Sequence, residues 1–234
     1  MTALYSFAKA TVAPLVRQVW RVRVTGLDHI PATGPVILAS NHLSVVDSVI
    51  IPSIVPRPVY YLAKDDYFRG TGIKGWFWRS VMYGLNQIPV DRSGGRASLM
   101  ALDAALPVLR AGNILGIFPE GTRSVDGRLY RGRPGVAKLA LDADATLIPV
   151  GLIGTEKIQP IGSMIPRFGP GVEMRIGKAV NLEPWRDAPI DSRVLREVTA
   201  VLMQEIAALT GQEYVGRYAR RRDAGPPAAD TGGE

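Results

Sequence analysis

The feature that most constrains the fold of this chain is a polar junction between two apolar runs. Residues 35–40 form a short apolar run, which predicts a buried strand. The next residues, 41–47, are Asn-His-Leu-Ser-Val-Val-Asp, and an apolar segment long enough for about three helical turns continues to residue 55. Proteins with alternating strands and helices place their chemistry where a strand ends and a helix begins. This junction is therefore the first candidate for a functional site.

The junction pairs a histidine with a carboxylate. His42 is one of two histidines in the chain, and Asp47 follows it closely. A neutral imidazole accepts a proton readily near neutral pH, and a carboxylate bound to its other nitrogen fixes the tautomer that does so. Residues five apart on a helix differ by about 140°, so we expect His42 in the loop and Asp47 in the first helical turn.

Simpler interpretations of the same residues exist. Ser44 and Asp47 match a helix capping box, which needs no chemistry. The helix dipole alone favours Asp47 in a first turn. A lone histidine beside an apolar strand is usually a structural residue.

Composition limits the function classes. The 234 residues suffice for one α/β domain or at most two small ones, and the absence of cysteine excludes disulfides and thiolate chemistry. No window of about 18 uncharged apolar residues predicts a transmembrane helix. The net charge of +7 indicates an anionic partner. Lipid or a phosphorylated substrate fits better than nucleic acid, because the arginines are scattered and neither a basic helix nor zinc spacing is present.

Apolar periodicity predicts strands alternating with helices, which is typical of an α/β fold with a single mixed, mostly parallel sheet flanked by helices. The predicted strands are 23–26, 35–40, 59–63, 87–91, 114–118, 146–153 and 171–180, the last as an edge strand because its apolar residues alternate. The predicted helices are 45–55, 96–111, 135–142 and 192–209, in addition to an N-terminal one. We expect one domain over 24–218 and a disordered basic, Pro/Gly/Ala-rich tail over 219–234.

Two segments have a possible membrane interpretation. Residues 1–23 predict an amphipathic helix with basic ends and faces, without the three-part organisation of a signal peptide. This helix either lies on an anionic leaflet or packs on the core. Residues 68–85 are rich in Trp, Phe, Tyr and Met, and they form core, line a groove for an acyl chain or lie at a membrane interface.

A second polar cluster, 118–124, follows the clearest strand and is Phe-Pro-Glu-Gly-Thr-Arg-Ser. A glycine beside an arginine suits an oxyanion or phosphate, because the backbone approaches closely and the guanidinium binds in a bidentate manner. Glu120 would orient Arg123 or accept hydrogen bonds from substrate hydroxyls, and a surface turn with an ion pair is the alternative. Arg92 in a turn and Lys64 at a strand end are weaker candidates, and Lys64 is equally explained as a solvated strand end.

Taken in order, four blocks of this sequence resemble the glycerolipid acyltransferases, specifically the bacterial 1-acylglycerol-3-phosphate acyltransferases. The blocks are 41–47 with His-x4-Asp, 88–92 with Pro-Val-Asp-Arg, 118–124 with Phe-Pro-Glu-Gly-Thr-Arg and 147–150 with Ile-Pro-Val. They occur in the order and spacing of that family. The resemblance implies an acyltransferase domain over 24–218, preceded by a membrane-interface helix over 1–23.

The resemblance also implies a reaction and residue roles. A fatty acyl group would pass directly from acyl-CoA or acyl-carrier protein to the free hydroxyl of 1-acylglycerol 3-phosphate, giving phosphatidic acid without a metal or other cofactor. His42 would be the general base, and Asp47 would orient it. The residues implied in substrate binding are Asn41, Ser44, Lys64, Arg92, Glu120, Gly121, Thr122 and Arg123.

The implied location is the cytoplasmic face of the cell membrane, where a peripheral or monotopic protein would meet an anionic surface. No oligomeric state is indicated. The alternatives are an acyltransferase for glycerol 3-phosphate, a lysophospholipid or a glycolipid, a lipid-binding protein without turnover, and a basic nucleic-acid-binding protein.

Overall fold

The computed structural model describes residues 2–90, 97–163, 165–169 and 171–219. The helices in these ranges are α1 (Ala3–Val19), α2 (Asp47–Ile54), α3 (Gly72–Gly84), α4 (Ala97–Arg110), α5 (Gly135–Asp142), α6 (Thr155–Ile158) and α7 (Ser192–Thr210). The strands are β1 (Arg23–Thr25), β2 (Val36–Ser40), β3 (Val59–Lys64), β4 (Gln87–Val90), β5 (Ile114–Ile117), β6 (Leu129–Tyr130), β7 (Thr146–Ile153), β8 (Glu173–Ile176) and β9 (Tyr214–Val215).

Most of these bounds agree with the predicted elements, although β8 is shorter than the strand predicted over 171–180. Strands β6 and β9 and helix α6 were not predicted, because such short elements leave no periodic pattern. Helix α3 was not predicted as a helix either, since residues 68–85 were distinguished only by their aromatic content. The predicted turn at Arg92 and the predicted tail from residue 220 onward lie outside the described residues.

The central sheet has seven strands in the order β1-β8-β7-β2-β5-β3-β4. β2 pairs in parallel with β5 and β7, β3 pairs in parallel with β4 and β5, and β1 pairs in parallel with β8. The β7–β8 pair is antiparallel. The predicted mixed, mostly parallel sheet is therefore confirmed, and the carboxyl ends of β2, β3 and β5 lie at one edge.

The sheet is buried on both faces because helices cover each side. Every residue of β2 is buried, and its side chains alternate between two apolar clusters. Val36 and Leu38 belong to the cluster that includes α2, whereas Ile37 and Ala39 belong to the cluster of α5 and α7. A central strand packed from both sides gives residues 41–47, which follow it, a fixed starting point.

Strand β8 was predicted at the sheet edge, and that prediction is wrong. β1 lies outside β8 and pairs with it. Met174 is buried, while Glu173 on the opposite face forms ion pairs with Arg175 at 2.5 Å and with Arg23 at 2.8 Å. The alternation therefore arises because one face of β8 packs on the core and the other carries ion pairs near solvent.

Helix α1 is attached to the rest of the domain along one side. Tyr5 and Val16 are its buried residues, and the Tyr5 hydroxyl accepts a hydrogen bond from the Val59 amide at 3.1 Å. The Lys9 ammonium donates to backbone carbonyls 55 and 56 beyond the end of α2. The neighbouring apolar stripe is exposed and comprises Leu4, Phe7, Val12 and Leu15. Among the described residues, no helix has both the length and the apolar character needed to cross a bilayer.

Gly116 in β5 is a position where an added side chain should disturb the sheet. A Cβ there would lie 2.3 Å from a ring carbon of Tyr61, its partner on β3. We expect Gly116→Ala to displace that ring and to lower the free energy of unfolding by about 1–3 kcal/mol. Denaturant unfolding followed by circular dichroism measures this loss.

Gly216→Ala is the matched control for this substitution. A Cβ at Gly216 would meet nothing within 4 Å, so the control should be at least as stable as the unaltered chain. Equal stability of Gly116→Ala and the unaltered chain would contradict the close packing of β5 against β3.

Candidate active site

Asn41 fixes the point at which the polar junction leaves strand β2. Its Nδ2 donates to the Leu152 carbonyl at 2.9 Å and to Gln212 Oε1 at 2.8 Å, and its Oδ1 accepts from the Leu152 amide at 2.8 Å. Asn41 is fully buried. These bonds tie the end of β2 to β7, so the turn that follows begins at a defined position.

One carboxylate oxygen of Asp47 organises that turn. Oδ2 accepts hydrogen bonds from the Leu43 amide, the Ser44 amide and His42 Nδ1, each at 2.8 Å. Asp47 begins α2 and is fully buried. Its bond to the Ser44 amide is half of the predicted capping box, but the Ser44 hydroxyl donates instead to the Gln159 carbonyl at 2.9 Å. The same oxygen therefore caps the helix and binds the imidazole.

The contact with Asp47 sets the tautomer of His42. An ionised carboxylate only accepts hydrogen bonds, so Nδ1 carries the proton and Nε2 is an acceptor. The ring is stacked on Phe118, with centroids 3.9 Å apart and an interplanar angle of 12°. The His42 side chain is 17% exposed. An oriented and partly exposed imidazole of this kind can take a proton from a bound hydroxyl.

The second polar cluster, residues 118–124, lies against the first. It follows β5, which neighbours β2, so both clusters emerge at the same sheet edge. The Ser124 amide donates to the His42 carbonyl at 2.8 Å, and the His42 amide donates to Glu120 Oε1 at 3.2 Å. The structure therefore brings together two segments that are far apart in the sequence.

Glu120 is buried among backbone donors. Oε1 accepts from the His42 amide, and Oε2 accepts from the Tyr130 amide at 2.9 Å, which links the histidine turn to strand β6. Burial raises the pKa of Glu120 from 4.5 to about 7, against the lowering effect of these two hydrogen bonds. Both carboxylate oxygens thus bind backbone, in place of the expected contacts with Arg123 or substrate hydroxyls.

Gly121 has a positive φ of 75°, and the side chain of Arg133 lies against it. A Cβ at Gly121 would be 2.7 Å from Arg133 Nε. The Arg133 amide donates to the Pro119 carbonyl at 2.8 Å, and the guanidinium groups of Arg133 and Arg131 lie 5.6 and 5.2 Å from the Tyr218 ring centroid. Sequence reasoning missed Arg133, for which the run of arginines after the cluster is the available signal.

The other predicted binding residues do not all lie equally close to His42 and the turn after β5. Thr122 and Arg123 are half-buried in the turn after β5. Lys64 ends β3 at the same sheet edge, where its ammonium pairs with Asp66. Arg92 lies outside the described residues. Across the described ranges, no group of three or more His, Cys, Asp or Glu side chains is arranged to hold a metal ion.

The fold and the site together define an α/β protein with an oriented histidine and an arginine-bearing turn at one sheet edge. A family model described as Acyltransferase matches residues 21–153, more than half of the 234-residue chain, and this match includes both polar clusters. The chain belongs to this acyltransferase family.

Known relatives agree with the assignment. The 1-acyl-sn-glycerol-3-phosphate acyltransferase of Bacillus subtilis is 27% identical over 208 residues, which are 88% of this chain and 96% of that protein. The chloroplastic 1-acyl-sn-glycerol-3-phosphate acyltransferase LPAT1 of Arabidopsis thaliana is 30% identical over 145 residues, 62% of this chain. The chain spans only 39% of the length of that plant protein and 40% of its Brassica napus counterpart.

A solved structure shares the fold. The crystal structure of PlsC, the 1-acyl-sn-glycerophosphate (LPA) acyltransferase of Thermotoga maritima, matches with a TM-score of 0.62 and 25% identity. The match covers 87% of this chain and 82% of that one.

Glu120 should make the stability of the chain depend on pH. Because its pKa is about 7 in the folded state and 4.5 ordinarily, the folded chain holds this proton more tightly than the unfolded chain. Stability should therefore fall as pH rises through this interval, by on the order of 1–3 kcal/mol. We expect Glu120→Gln, which cannot ionise, to remove this part of the slope in thermal unfolding measured across the interval.

Glu205→Gln is the control, because Glu205 is exposed on α7. It should retain the slope of the unaltered chain. The assignment of the slope to Glu120 fails if Glu120→Gln keeps the full pH dependence.

Proposed function

We propose that this chain transfers a fatty acyl group from a thioester, acyl-CoA or acyl-carrier protein, to the free hydroxyl of 1-acylglycerol 3-phosphate, giving phosphatidic acid. The observation that carries the proposal is the 2.8 Å contact between His42 Nδ1 and Asp47 Oδ2, which makes Nε2 a proton acceptor at the sheet edge. The names of the relatives support the choice of acceptor. Glycerol 3-phosphate, another lysophospholipid or a glycolipid is the alternative acceptor.

In the proposed mechanism, His42 Nε2 takes the proton of the acceptor hydroxyl as its oxygen attacks the thioester carbonyl carbon. The carbon–sulfur bond then breaks, and the thiolate leaves with the proton returned by the imidazolium. Asp47 holds the ring in position and stabilises its positive charge through Nδ1. The acyl group moves directly, without a covalent intermediate on the protein and without a metal or other cofactor.

The acceptor phosphate would bind beside the turn that follows β5. Gly121 allows close approach of the backbone, and Arg123 in the same turn supplies a guanidinium. Arg133, whose side chain lies against Gly121, adds a second guanidinium. Thr122, Lys64 and Arg92 complete the proposed set of binding residues as expected from the resemblance.

Three residues that the resemblance placed at the substrate are assigned a positioning role instead. Asn41 binds β7, Ser44 binds the Gln159 carbonyl, and Glu120 binds backbone amides on two segments. Their polar atoms are used by these contacts, so we propose that they hold the turn that carries His42. These residues act by holding His42 in place. Their substitution should therefore lower kcat more than it weakens the affinity for the acceptor.

The proposed place of action is the cytoplasmic face of the cell membrane, with the protein attached as a peripheral or monotopic one. Helix α1 supports this proposal, because it exposes an apolar stripe and carries basic but no acidic residues. A lipid acceptor would then be available in the leaflet to which the protein binds.

His42 is tested by thiol release from palmitoyl-CoA, with lysophosphatidic acid as acceptor. We expect His42→Ala to lose about 10²–10⁴-fold in acceptor-dependent release, the usual contribution of a positioned general base. His29→Ala is the matched control, because His29 is the second histidine of the chain and contacts the Ile176 carbonyl at 2.9 Å. The control should remain active.

The possible results separate the alternatives. Full activity of His42→Ala would exclude His42 as the base. Thiol release that occurs only with another acceptor would support the mechanism and would replace lysophosphatidic acid as the proposed acceptor. A wild-type chain inactive with every acceptor, and with both acyl-CoA and acyl-carrier protein, would favour the lipid-binding protein without turnover.

The phosphate site is tested by Gly121→Ala. An added Cβ would push Arg133 away from the turn, so we expect the KM for lysophosphatidic acid to rise about tenfold with a smaller change in kcat. Gly127→Ala is the control, since Gly127 has a similar φ of 77° but nothing within 4 Å of an added Cβ. The same KM in both variants would show that backbone strain, not Arg133, is responsible for any effect.

A further inference from the structure

Helix α3 displays large apolar side chains to solvent. Four residues in its N-terminal half form what we name the α3 aromatic surface: Ile73, Trp76, Phe77 and Trp78. Their exposed fractions are 87%, 63%, 55% and 54%, respectively. Soluble proteins rarely expose a cluster of this size unless it binds a partner or a membrane. The exposure also excludes the core interpretation for Trp76, Phe77 and Trp78, whereas Phe68, in the same predicted segment, is buried.

The α3 aromatic surface is convex. Consecutive positions 76, 77 and 78 point in three directions around a helix of about 3.6 residues per turn, and all three are exposed. Lys74 and Arg79, on the same helix, are exposed as well. A groove for a single acyl chain would require apolar side chains to face one another across a concavity. The outward-pointing arrangement fits a broad apolar phase better.

The charges carried by helices α1 and α3 have one sign, whereas the turn between β3 and α3 carries two aspartates, each paired with a basic residue. Helix α3 carries Lys74 and Arg79, helix α1 carries the exposed Arg17, and neither helix contains Asp or Glu, although the chain has 21 acidic residues. Lys9 of α1 is instead bound to backbone carbonyls 55 and 56. Trp together with Lys and Arg is the composition found where proteins meet lipid headgroups, and positive charge attracts an anionic leaflet. A second copy of the chain is a poorer partner, because two such faces would bring like charges together.

Helices α1 and α3 adjoin one another. The Thr2 hydroxyl, before α1, donates to the Gly84 carbonyl at the end of α3 at 2.7 Å. The Leu4 side chain lies against Gly84, where an added Cβ would be 2.4 Å from Leu4 Cδ2. Leu4 is itself 40% exposed and begins the exposed stripe of α1. The start of the α1 stripe therefore adjoins the C-terminal end of α3, the helix that carries the α3 aromatic surface.

The position of α3 relates this surface to the active site. Helix α3 follows the carboxyl end of β3 and leads back to the start of β4, which is parallel to β3. Its N-terminal half therefore lies toward the sheet edge at which β2 ends and His42 begins the turn. The exposed aromatic residues are in that half.

We propose that the α3 aromatic surface inserts into the headgroup region of an anionic lipid leaflet, with the exposed stripe of α1 beside it. The inference deepens the proposed function, and it rests on that function for the lipid nature of the acceptor. It makes α3 the main inserted element, whereas the resemblance implied a membrane-interface helix over 1–23 and the sequence left the membrane interface as one of three interpretations of 68–85. A leaflet bound there would face the edge that carries His42, so a lysophospholipid hydroxyl would reach Nε2 from the interface.

The test compares vesicle binding of the full chain and of a variant with Trp76→Ser, Phe77→Ser and Trp78→Ser. The vesicles contain phosphatidylcholine with or without phosphatidylglycerol, and bound protein is measured by co-sedimentation. We expect the triple variant to bind phosphatidylglycerol vesicles at least about tenfold more weakly, because burial of each aromatic side chain contributes favourably. Thermal unfolding should be unchanged, since the replaced side chains are exposed.

The matched control replaces two exposed residues that flank helix α7 in the sequence, as Ile190→Ser and Tyr214→Ser. Helix α7 packs on the other apolar cluster from the one that contains α1, so this control should bind vesicles normally. In a Trp20→Phe, Trp185→Phe variant, brominated lipid should quench the fluorescence of Trp76 and Trp78. A variant that retains Trp185 alone should be quenched little.

Failure of this inference is distinguishable from failure of the proposed function. His42→Ala should bind vesicles as the unaltered chain does, because insertion does not require turnover. Normal vesicle binding by the triple variant, or an equal loss in the matched control, would overturn the inference. A lipid-free dimer that the triple variant converts to a monomer in analytical ultracentrifugation would also overturn it, by assigning the surface to a second copy.

Discussion

The buried Asp47 oxygen that accepts hydrogen bonds from His42, Leu43 and Ser44 is the contact on which the candidate site depends. A carboxylate shielded from water is costly unless several donors compensate its charge. Three bonds at 2.8 Å provide that compensation at Oδ2, whereas Oδ1 is buried without a hydrogen-bond partner among the described residues. Each donor comes from the turn that the carboxylate closes, so the fold of the turn and the orientation of the imidazole are coupled. The position of this turn depends on β2. That strand is packed on both faces and therefore cannot shift to accommodate a different turn geometry.

The polar residues around His42 divide into two groups with different physical tasks. A strand that ends inside a domain leaves backbone groups without partners, and these must be satisfied by side chains. Asn41 and Glu120 meet this need, by bonds to Leu152 and to the amides of His42 and Tyr130. Such groups look like binding residues in a sequence, because they are polar and adjoin a histidine. The guanidinium groups of Arg123 and Arg133 are different. They do not satisfy backbone groups of the turn, so their charge remains suited to an anionic ligand.

Local patterns account for most of what could be predicted. The run before His42 predicted β2, and the five-residue offset to Asp47 predicted a loop histidine beside a first-turn carboxylate, as the structure has it. Other features depend on segments distant in the sequence and leave no local pattern. The placement of β8 inside β1 is such a case, as is the contact of Arg133 with Gly121 and Tyr218. Hydrophobic alternation reports which side chains are buried and says nothing of which strand lies beside them.

Exposed aromatic residues do not stabilise a folded chain in water, so their presence on α3 calls for another explanation. The sequence allowed three interpretations of residues 68–85. Phe68 is core, and the exposure of Trp76, Phe77 and Trp78 excludes a core position for those three. The convex shape disfavours a groove, and the absence of carboxylates on α1 and α3 favours an anionic surface over a protein partner. The acceptor proposed for His42 is itself amphipathic, with its hydroxyl near the headgroup and its chain in the bilayer. A catalytic edge beside a membrane-inserted helix would let that acceptor react while its chain stays in lipid, so the apolar phase need not be supplied by a deep pocket within the domain.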